Sequence, residues 1–458
     1  MMKTKKRRME FFAFYNHTGI EQHLTDMAKK GWMIESITNF WWTYRKIEPK
    51  DIHFCVTYYP RASDFDPGPD AEQQTFHDFC AHTGWVLACT WFQMQVFYNE
   101  MPSPIPLETD PIMEVDTLHR AIRKNYLPSN FIILALSFLM TCYFIAGVCL
   151  DPIGLLSSSS RLVTQFAYLC LFALSAVELV TYFTWLRKAR REAQNRIFVD
   201  TPSTANFQKS MLAVVLTAMV YWFANLFAAD DPLMVWVAIV MMAGLLGVML
   251  LVHGIKQGLK KARASRGLNK ALTLAACFIL PMLLTSAILY TGINMVRSER
   301  FRPDAAAQDS VPLSVADLVD VDRDDYVQTN DLDQTFFLGR MNVNAFPHWD
   351  VENRHEYPDL RYDVTIVKMP AIYDWCKEEM YRDWDESEDS DIPDGHKAVY
   401  MPLDPAPWGA VEAYQLYQQE GWFLNWYLLC YEDRIVQIRF DWEPTPEQIA
   451  IVGEKLNP

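Results

Sequence analysis

The middle of the chain alternates long apolar runs with short polar connections. The five apolar runs cover residues 131–150, 162–186, 211–229, 233–253 and 271–296. Each has about the length that an α-helix needs to cross the hydrocarbon core of a bilayer, roughly 20 residues. Five such runs so close together are not typical of buried helices in a large soluble protein. The pattern therefore predicts an integral membrane protein with a five-helix transmembrane bundle, whose partner is the lipid bilayer.

The polar connections predict the direction of these helices. The connections after the second and fourth helices, within 187–210 and 255–270, each contain six Lys and Arg residues. The connections after the first and third helices contain one Arg and none. Because Lys and Arg concentrate in cytoplasmic connections, the N-terminus is predicted inside and the C-terminus outside. Arg297, Arg300 and Arg302, which follow the fifth helix, give an opposing signal that the two basic connections outweigh.

Two polar residues within the predicted spans are candidates for function. Glu178 lies in the second predicted helix and Asn225 in the third. An ionisable residue inside a membrane is costly and often marks a proton relay or a ligand site. The alternative is that Glu178 joins helices through hydrogen bonds, for example to Asn225 or Thr181. Because the spans show no second charge, the sequence favours this structural role.

The first 125 residues contain one pattern twice. In each copy a helix begins at a capping residue, Thr18 or Asp70, and ends at a glycine, Gly31 or Gly84, that precedes a tryptophan. Strand-like segments follow each helix, and the run FFAFY at 11–15 predicts a strand before the first. The order β-α-β-β-β-α-β-β predicts a duplicated α+β domain with an antiparallel sheet, for which a ferredoxin-like arrangement is one candidate.

Several motifs in this region resemble a known family. They are the FFAFYN start, KKGW at the end of the first helix, the aromatic segment FWWTYRK and HTGW at the end of the second helix. Together they resemble the N-terminal module of bacterial membrane proteins in domain-of-unknown-function family 2812, over residues 9–125. The resemblance implies a bacterial plasma-membrane protein without an established activity. It also implies a link to transcriptional regulators, and it supplies no catalytic residues.

A polar linker at 297–312 leads to a C-terminal domain at 313–458. Residues 297–458 contain 34 Asp and Glu but only 14 Lys and Arg, so this domain carries most of the acidic excess. The predicted elements are a strand at 361–369, a helix at 371–384, an exposed acidic loop at 385–396, a hairpin that turns at Glu432-Asp433 and a final helix capped by Thr445. The prediction is a second α+β domain, outside the membrane.

One acidic segment has the spacing of a calcium site. Asp320, Asp322 and Asp324 have the i, i+2, i+4 spacing of an EF-hand loop, and Asp331 stands at its last position. Asp325 replaces the glycine that the turn of such a loop requires, however. The alternative is a solvated acidic segment, which the sequence favours.

The remaining residues limit the classes of function. Neither soluble region has the basic surface of a nucleic-acid-binding domain, and no nucleophile, metal or phosphate-binding motif predicts an enzyme or a cofactor. Cys376 and Cys430, the only cysteines of the predicted external domain, could form one disulfide or remain free. The leading hypothesis is a two-sided sensor or accessory protein with a cytoplasmic regulatory partner. The alternative is a transporter or a lipid-handling or resistance component that uses Glu178.

Overall fold

A computed structural model describes most of the chain as two compact units. The described residues are 4–38, 41–228, 232–297, 311–348, 357–382, 398–418 and 421–457. The first unit comprises Met1–Thr141, Phe166–Val220 and Pro232–Leu289, and the second comprises Cys142–Gln165, Tyr221–Asp231 and Tyr290–Pro458. The N-terminal module therefore belongs to the first unit and the C-terminal domain to the second.

The N-terminal module is built from two copies of one β-α-β-β unit. The first copy contains β1 (Lys5–Arg8), α1 (His17–Lys29), β2 (Trp32–Ile37) and β3 (Trp42–Lys46), and the second contains β4 (His53–Tyr58), α2 (Ala71–His82), β5 (Val86–Trp91) and β6 (Met94–Asn99). The antiparallel strand orders, β1-β3-β2 and β4-β6-β5, are equivalent. The predicted duplication is confirmed. The strands form two three-stranded sheets, whereas a ferredoxin-like arrangement would place them in one.

The two copies agree in detail at the point where each helix turns into its strand. Gly31 and Gly84 follow the helices with positive φ values of +80° and +85°. Only glycine adopts this left-handed conformation without a steric penalty. Four residues later each copy has a β-bulge, at Glu35 and at Ala88, where the register of the hairpin shifts by one residue. A bulge at the same distance from the same glycine is strong evidence of duplication.

The start of the first copy differs from the prediction. The run at 11–15 is not a strand; β1 lies earlier, in the basic segment that begins at Lys5. The helix α1 is capped by Asn16, whose side chain accepts the N–H of Gly19 at 3.1 Å. Thr18 lies inside the helix instead of capping it. An Asn side chain is as effective a cap as Thr, so the sequence contained two candidates and the first was used.

The hydrophobic core of the module continues into the membrane helices. The apolar stripe of α1, which includes Ile20 and Leu24, is buried together with Val56 of β4. An additional helix that the sequence analysis did not predict, α3 (Pro111–Lys124), begins at the cap Asp110 and buries its apolar face in the same cluster. Residues of the next helices, such as Tyr182, complete this core. The module and these helix ends thus fold as one hydrophobic unit.

In the described ranges, five helices are long and apolar enough to cross a membrane, as predicted. They are α4 (Tyr126–Leu150), α6 (Ser159–Ala193), α7 (Ala205–Ala228), α8 (Pro232–Lys261) and α9 (Arg266–Arg297). A short helix, α5 (Pro152–Ser157), lies between α4 and α6. The helices extend further into polar sequence than predicted. At 35 residues, α6 is about 50 Å long, well beyond the roughly 30 Å of a hydrocarbon core.

The C-terminal domain is a seven-stranded antiparallel sheet. In sequence its strands are β7 (Tyr326–Gln334), β8 (Leu338–Pro347), β9 (Leu360–Val367), β10 (Ala398–Leu403), β11 (Glu412–Gln418), β12 (Trp422–Cys430) and β13 (Arg434–Phe440). In the sheet their order is β10-β11-β12-β13-β9-β8-β7. The helices α10 (Tyr373–Arg382) and α11 (Pro446–Leu456) accompany it.

Both faces of this sheet are covered. On β13, Val436, Ile438 and Phe440 point into one cluster, which α11 completes with Val452. Ile435 points into a cluster on the other face. The predicted strand β9, the β12–β13 hairpin, α10 and the Thr445 cap of α11 are all present. The acidic loop at 385–396 and nearly all of the linker at 297–312 lie outside the described residues.

Candidate functional site

Glu178 of α6 is buried and holds three hydrogen bonds. Its side chain is part of a residue only 5 % exposed. Oε2 accepts a hydrogen bond from the Tyr126 hydroxyl at 2.7 Å. Oε1 accepts one from Gln208 Nε2 at 2.8 Å and another from the hydroxyl of Thr204. All three donors are neutral, so the carboxylate is held by hydrogen bonds and not by an ion pair.

The partners place Glu178 at the start of two membrane helices. Tyr126 is the first residue of α4, Thr204 immediately precedes α7, and Gln208 lies in the first turn of α7. The free N–H groups at a helix N-terminus favour a nearby negative charge. Glu178 therefore lies where the helices of the bundle begin, and α6 continues past it to Ala193. This position is less costly for a carboxylate than the centre of a bilayer.

The partners of Glu178 differ from those that the sequence suggested. Thr181 is not among the three donors to Glu178, and its backbone oxygen accepts a hydrogen bond from the hydroxyl of Thr184 at 2.9 Å. Asn225 lies on α7 about 25 Å beyond Gln208 along the helix axis, and its side chain falls outside the described residues. Sequence reasoning missed Tyr126 and Thr204 because both precede the apolar runs that defined the spans.

An apolar cavity of about 370 Å³ lies beside Glu178. Its walls combine aromatic residues of the N-terminal module with apolar residues of α4 and α6. They include Phe12, Phe14, Trp91, Phe92, Ile133, Leu171 and Leu174. Volumes of this size fall within the range of small-molecule sites. The cavity and the carboxylate together could hold an apolar group with one polar end.

Aromatic side chains connect the module to α6. The ring of Tyr15, which is fully buried, lies 5.3 Å from the ring of Tyr182 and 5.9 Å from that of Tyr126. Burial and the charge of Glu178 raise the pKa of Tyr15 well above its usual value. The indole N–H of Trp185 donates to the backbone oxygen of Val199. Rings packed in this way transmit strain, because a close-packed interior has low compressibility.

A second contact joins the module to the connection between α8 and α9. Arg266 binds Asp66 in a bidentate manner, with an Nε–Oδ1 distance of 2.5 Å and an Nη2–Oδ2 distance of 2.7 Å. Lys256 Nζ lies 2.5 Å from Asp64 Oδ2. Asn269 Nδ2 donates to the backbone oxygen of Phe65 at 3.2 Å. The acidic loop after β4 thus pairs with one of the two basic connections.

The structure does not bring the four predicted calcium ligands together. Asp320, Asp322 and Asp324 are exposed near a 3₁₀ turn that Asp322 caps by accepting the N–H of Asp324. Asp331 lies far along β7, paired with Asn342. Five residues of extended strand separate it from Tyr326, a distance of about 16 Å. An EF-hand loop needs all of these carboxylates around one ion, so this segment is a turn and a strand instead.

Asp331 contributes to a different feature of the C-terminal unit. It lines a polar cavity of about 270 Å³ together with Asp151, Asp333, Arg161 and Arg340. The two arginines balance part of the acidic charge. Within the described ranges, no group of three or more His, Cys, Asp or Glu side chains has a geometry that could hold a metal ion.

Cys376 and Cys430 lie in one cluster but are not bonded to each other. Both are buried, at 0 % and 2 % exposure, against the face of the sheet that α10 covers. Burial raises the pKa of both thiols, to about 11 for Cys376 and about 12 for Cys430. Thiols of this kind act as small apolar side chains and react slowly, because the thiolate is the reactive form.

Comparison with known proteins identifies the first part of the chain. A family model described as a protein of unknown function (DUF2812) matches residues 16–130. The match includes most of both β-α-β-β copies and α3, and it ends in the first turns of α4. No curated protein and no solved structure matches the chain. The chain therefore carries an N-terminal DUF2812 module, which precedes the five apolar helices of a multi-pass membrane protein.

Proposed function

We propose that the protein is a two-sided membrane sensor or accessory protein. The observation that carries this proposal is the helix pair α4–α6. At one end these two helices are connected by α5, which is part of the core of the C-terminal domain. At the other end, residues of α4 and α6 are part of the core of the DUF2812 module. A signal at one domain would therefore reach the other through two continuous helices. In this proposal the protein is not an enzyme and uses no cofactor.

The end of the pair at α5 is anchored by buried contacts. Ile153 and Leu156 of α5 lie in the same hydrophobic cluster as Leu338 and Cys376 of the C-terminal domain. The hydroxyl of Thr335, which is 4 % exposed, donates to the backbone oxygen of Leu156 at 2.6 Å. A domain that changes shape at this face would displace α5, because a close-packed core transmits strain.

The other end is anchored in the same way. Leu127 of α4 and Leu179, Tyr182 and Trp185 of α6 belong to the hydrophobic cluster of the module. Rotation or sliding of α6 would disturb the packing of Tyr15 against Tyr182. Small shifts of packed helices are a common means of transmission in membrane receptors and other switches. We propose that the module passes the change to a cytoplasmic regulatory protein.

The proposed location is the bacterial plasma membrane, with the module in the cytoplasm and the C-terminal domain outside. The two basic connections belong to the unit of the module, and the connection after α4 belongs to the unit of the C-terminal domain. Basic connections favour the cytoplasm. Because five is an odd number of crossings, the two ends of the chain lie on opposite sides of the membrane. Alkaline phosphatase, which folds only outside the cytoplasm, should be active when fused after Pro458 and inactive when fused after Lys124. The reverse result would exclude this orientation.

Coupling can be tested in the full chain reconstituted in a bilayer. Leu156→Ser disturbs the anchor of α5, and Leu332→Ser at an exposed position of β7 is the matched control. We expect Leu156→Ser, but not the control, to increase amide hydrogen exchange around Tyr15 and Tyr182. If exchange rises only in the C-terminal domain, the helix pair does not couple the domains. Signalling would also be contradicted if the modules of both variants bound the same cytoplasmic protein to the same extent.

The second candidate is a transporter or a lipid-handling or resistance component that uses Glu178. The apolar cavity beside this carboxylate favours it, because an amphiphile could place its apolar part there. Glu178→Gln retains an acceptor for Thr204 and Gln208 but removes the charge. Transport or resistance should then be lost while the amount of folded protein is unchanged. Glu192→Gln, on the same helix, is the control. An unaltered phenotype would eliminate this candidate.

A further inference from the structure

The DUF2812 module contains a second cavity, separate from the one beside Glu178. Its volume is about 500 Å³. It lies between α1, β4, α3 and the segments 102–108 and 198–200. All of these belong to the first unit. The proposed function makes no use of this cavity.

The charge of the cavity is strongly one-sided. Four carboxylates line it, those of Glu21, Glu108, Glu114 and Asp200, and no Lys or Arg occurs among the described residues that line it. His17, which is 5 % exposed, balances one of them because its Nε2 lies 2.6 Å from Glu114 Oε1. The remaining carboxylates leave the cavity negative. A ligand with positive charge would find an attractive potential here.

Two of the carboxylates have no cationic partner in the part of the chain that the structure describes. Glu21 accepts the backbone N–H of Val56 at 2.7 Å. Burial raises the pKa of Glu108, and it raises that of Glu21 to about 7. Leaving carboxylates unpaired at a partly buried position costs free energy. Such costly groups are more frequent at binding sites than elsewhere.

An independent observation also indicates a missing ligand. Thr57, which lines the cavity, is only 4 % exposed, and its hydroxyl has no hydrogen-bond partner among the described residues. Buried hydroxyl groups almost always have a partner. The apolar part of the wall comes from Phe54, Trp85, Leu107 and Phe198. Aromatic faces next to carboxylates are well suited to bind an ammonium group.

We infer that this cavity binds a small organic cation, a molecule with a protonated amine and an apolar body. The amine would lie against the carboxylates that line the cavity, Glu21 and Glu108 among them, and the apolar body would lie against the aromatic wall. The volume is in the range that holds one small molecule. A metal ion does not fit, since the described residues contain no group of three suitable ligands. A basic peptide is the competing occupant.

The test uses three probes of one shape and different charge. Naphthylmethylamine is cationic, naphthylmethanol is neutral, and naphthoate is anionic. Binding to the full-length protein in detergent is measured by titration calorimetry at pH 8. We expect the amine to bind at least about tenfold more tightly than either analogue, which corresponds to about 1.4 kcal/mol. Equal binding of the three probes, or no binding of the amine, would overturn the inference.

Variants locate the site. Glu21→Gln combined with Glu108→Gln should weaken amine binding by at least about tenfold, whereas Glu72→Gln on the surface of α2 should not change it. Ser103→Trp, at the exposed rim, should block entry and remains informative if the double variant fails to fold. Unchanged binding in both Ser103→Trp and a folded double variant would place the amine elsewhere. Tighter binding of the peptide Lys-Leu-Lys than of the amine would assign the cavity to a peptide instead.

Discussion

Two carboxylates of the first unit, the buried Glu178 and the partly buried Glu21, are stabilised to very different degrees. Glu178 accepts three side-chain hydrogen bonds near two helix N-termini. Glu21 accepts one backbone hydrogen bond, from Val56. Each charge-assisted hydrogen bond contributes roughly 1.5–3 kcal/mol, so the first site can hold a charge that the second holds poorly. The hydrogen bonds of Glu178 are typical of a structural contact between helices. Glu21 lacks such partners, as expected of a site in which a ligand supplies them.

The raised pKa of Glu21 predicts a dependence of stability on pH. The groups that face it are His17, Glu114, Asp200 and the N–H of Val56. Mainly because of burial, its pKa rises from 4.5 to about 7 on folding. The folded protein then retains a proton that the unfolded chain releases, so the free energy of unfolding falls as pH rises from about 4.5 to 7. The full loss is about 3 kcal/mol at most.

Glu21→Gln should remove this dependence. The amide oxygen still accepts the Val56 N–H but carries no charge. At pH 8 the variant should unfold at a higher temperature than the wild type, and at pH 5 the two should be similar. The ion pair of His17 with Glu114 leaves a slope in the same direction, since the raised pKa of His17 means that its contribution is lost as pH rises. Identical pH profiles for wild type and variant would show that Glu21 is charged at little cost.

At this scale the sequence identified residues but not their partners. Glu178 was evident because a charge in an apolar run is conspicuous. Its partners Tyr126, Thr204 and Gln208 were not, because they are ordinary polar residues just before the apolar runs. Thr18 was assigned as the cap of α1, which Asn16 supplies instead. Hydrogen-bond partners distant in sequence depend on tertiary packing, which local patterns do not contain.

The duplication has its clearest physical basis where each helix ends, at Gly31-Trp32 after α1 and at Gly84-Trp85 after α2. Both glycines have positive φ, but their surroundings differ. A Cβ added at Gly31 would lie 2.9 Å from the backbone oxygen of Ile47, whereas one at Gly84 would first meet the side chain of Asn99 at 3.2 Å. The Ile47 backbone, whose N–H donates to the oxygen of Gly31 at 3.0 Å, moves less easily than a side-chain amide. The first junction should therefore be less tolerant than the second.

Alanine substitutions test this difference. Gly31→Ala should lower the free energy of unfolding by more than the about 1–2 kcal/mol of a left-handed non-glycine residue, and Gly84→Ala by about that amount. Gly68→Ala is the control, because no atom lies within 4 Å of its added Cβ. Denaturant unfolding of the full chain, followed by tryptophan fluorescence, measures all three. Equal effects at Gly31 and Gly84 would mean that the backbone at Ile47 moves to accommodate the added Cβ.

Among the elements, those with strong local periodicity were predicted and those fixed by distant contacts were not. The five apolar helices, the α1 stripe and the β12–β13 hairpin each have a clear pattern. The helix α5 has only six residues, and its burial comes from the C-terminal domain nearly 200 positions later. Asp320, Asp322 and Asp324 were considered as metal ligands because their i, i+2, i+4 spacing is that of a calcium loop, but they lie at a turn before β7, and only Asp331 lies on that strand.

For the molecule as a whole, one of the basic connections that predict the orientation also forms ion pairs with the module. The connection 255–270 was identified by its six cations. In the structure three of them bind the module: Lys256 and, at 3.6 Å, Lys260 pair with Asp64, and Arg266 pairs with Asp66. The sequence could not show this pairing, because the two segments are almost 200 residues apart. Exposed ion pairs contribute little, about 0–1 kcal/mol each, but a half-buried pair and a bidentate pair together fix the position of one loop.

These two pairs should hold the loop 61–66 against the ends of α8 and α9. Lys256→Gln combined with Arg266→Gln should raise amide hydrogen exchange in this loop by up to about tenfold, which corresponds to about 1.4 kcal/mol. The control is Lys261→Gln combined with Lys270→Gln, because both lysines are exposed in the same connection. It removes the same charge and therefore has the same effect on membrane orientation. Similar exchange in the two double variants would show that the two ion pairs do not hold this loop in place.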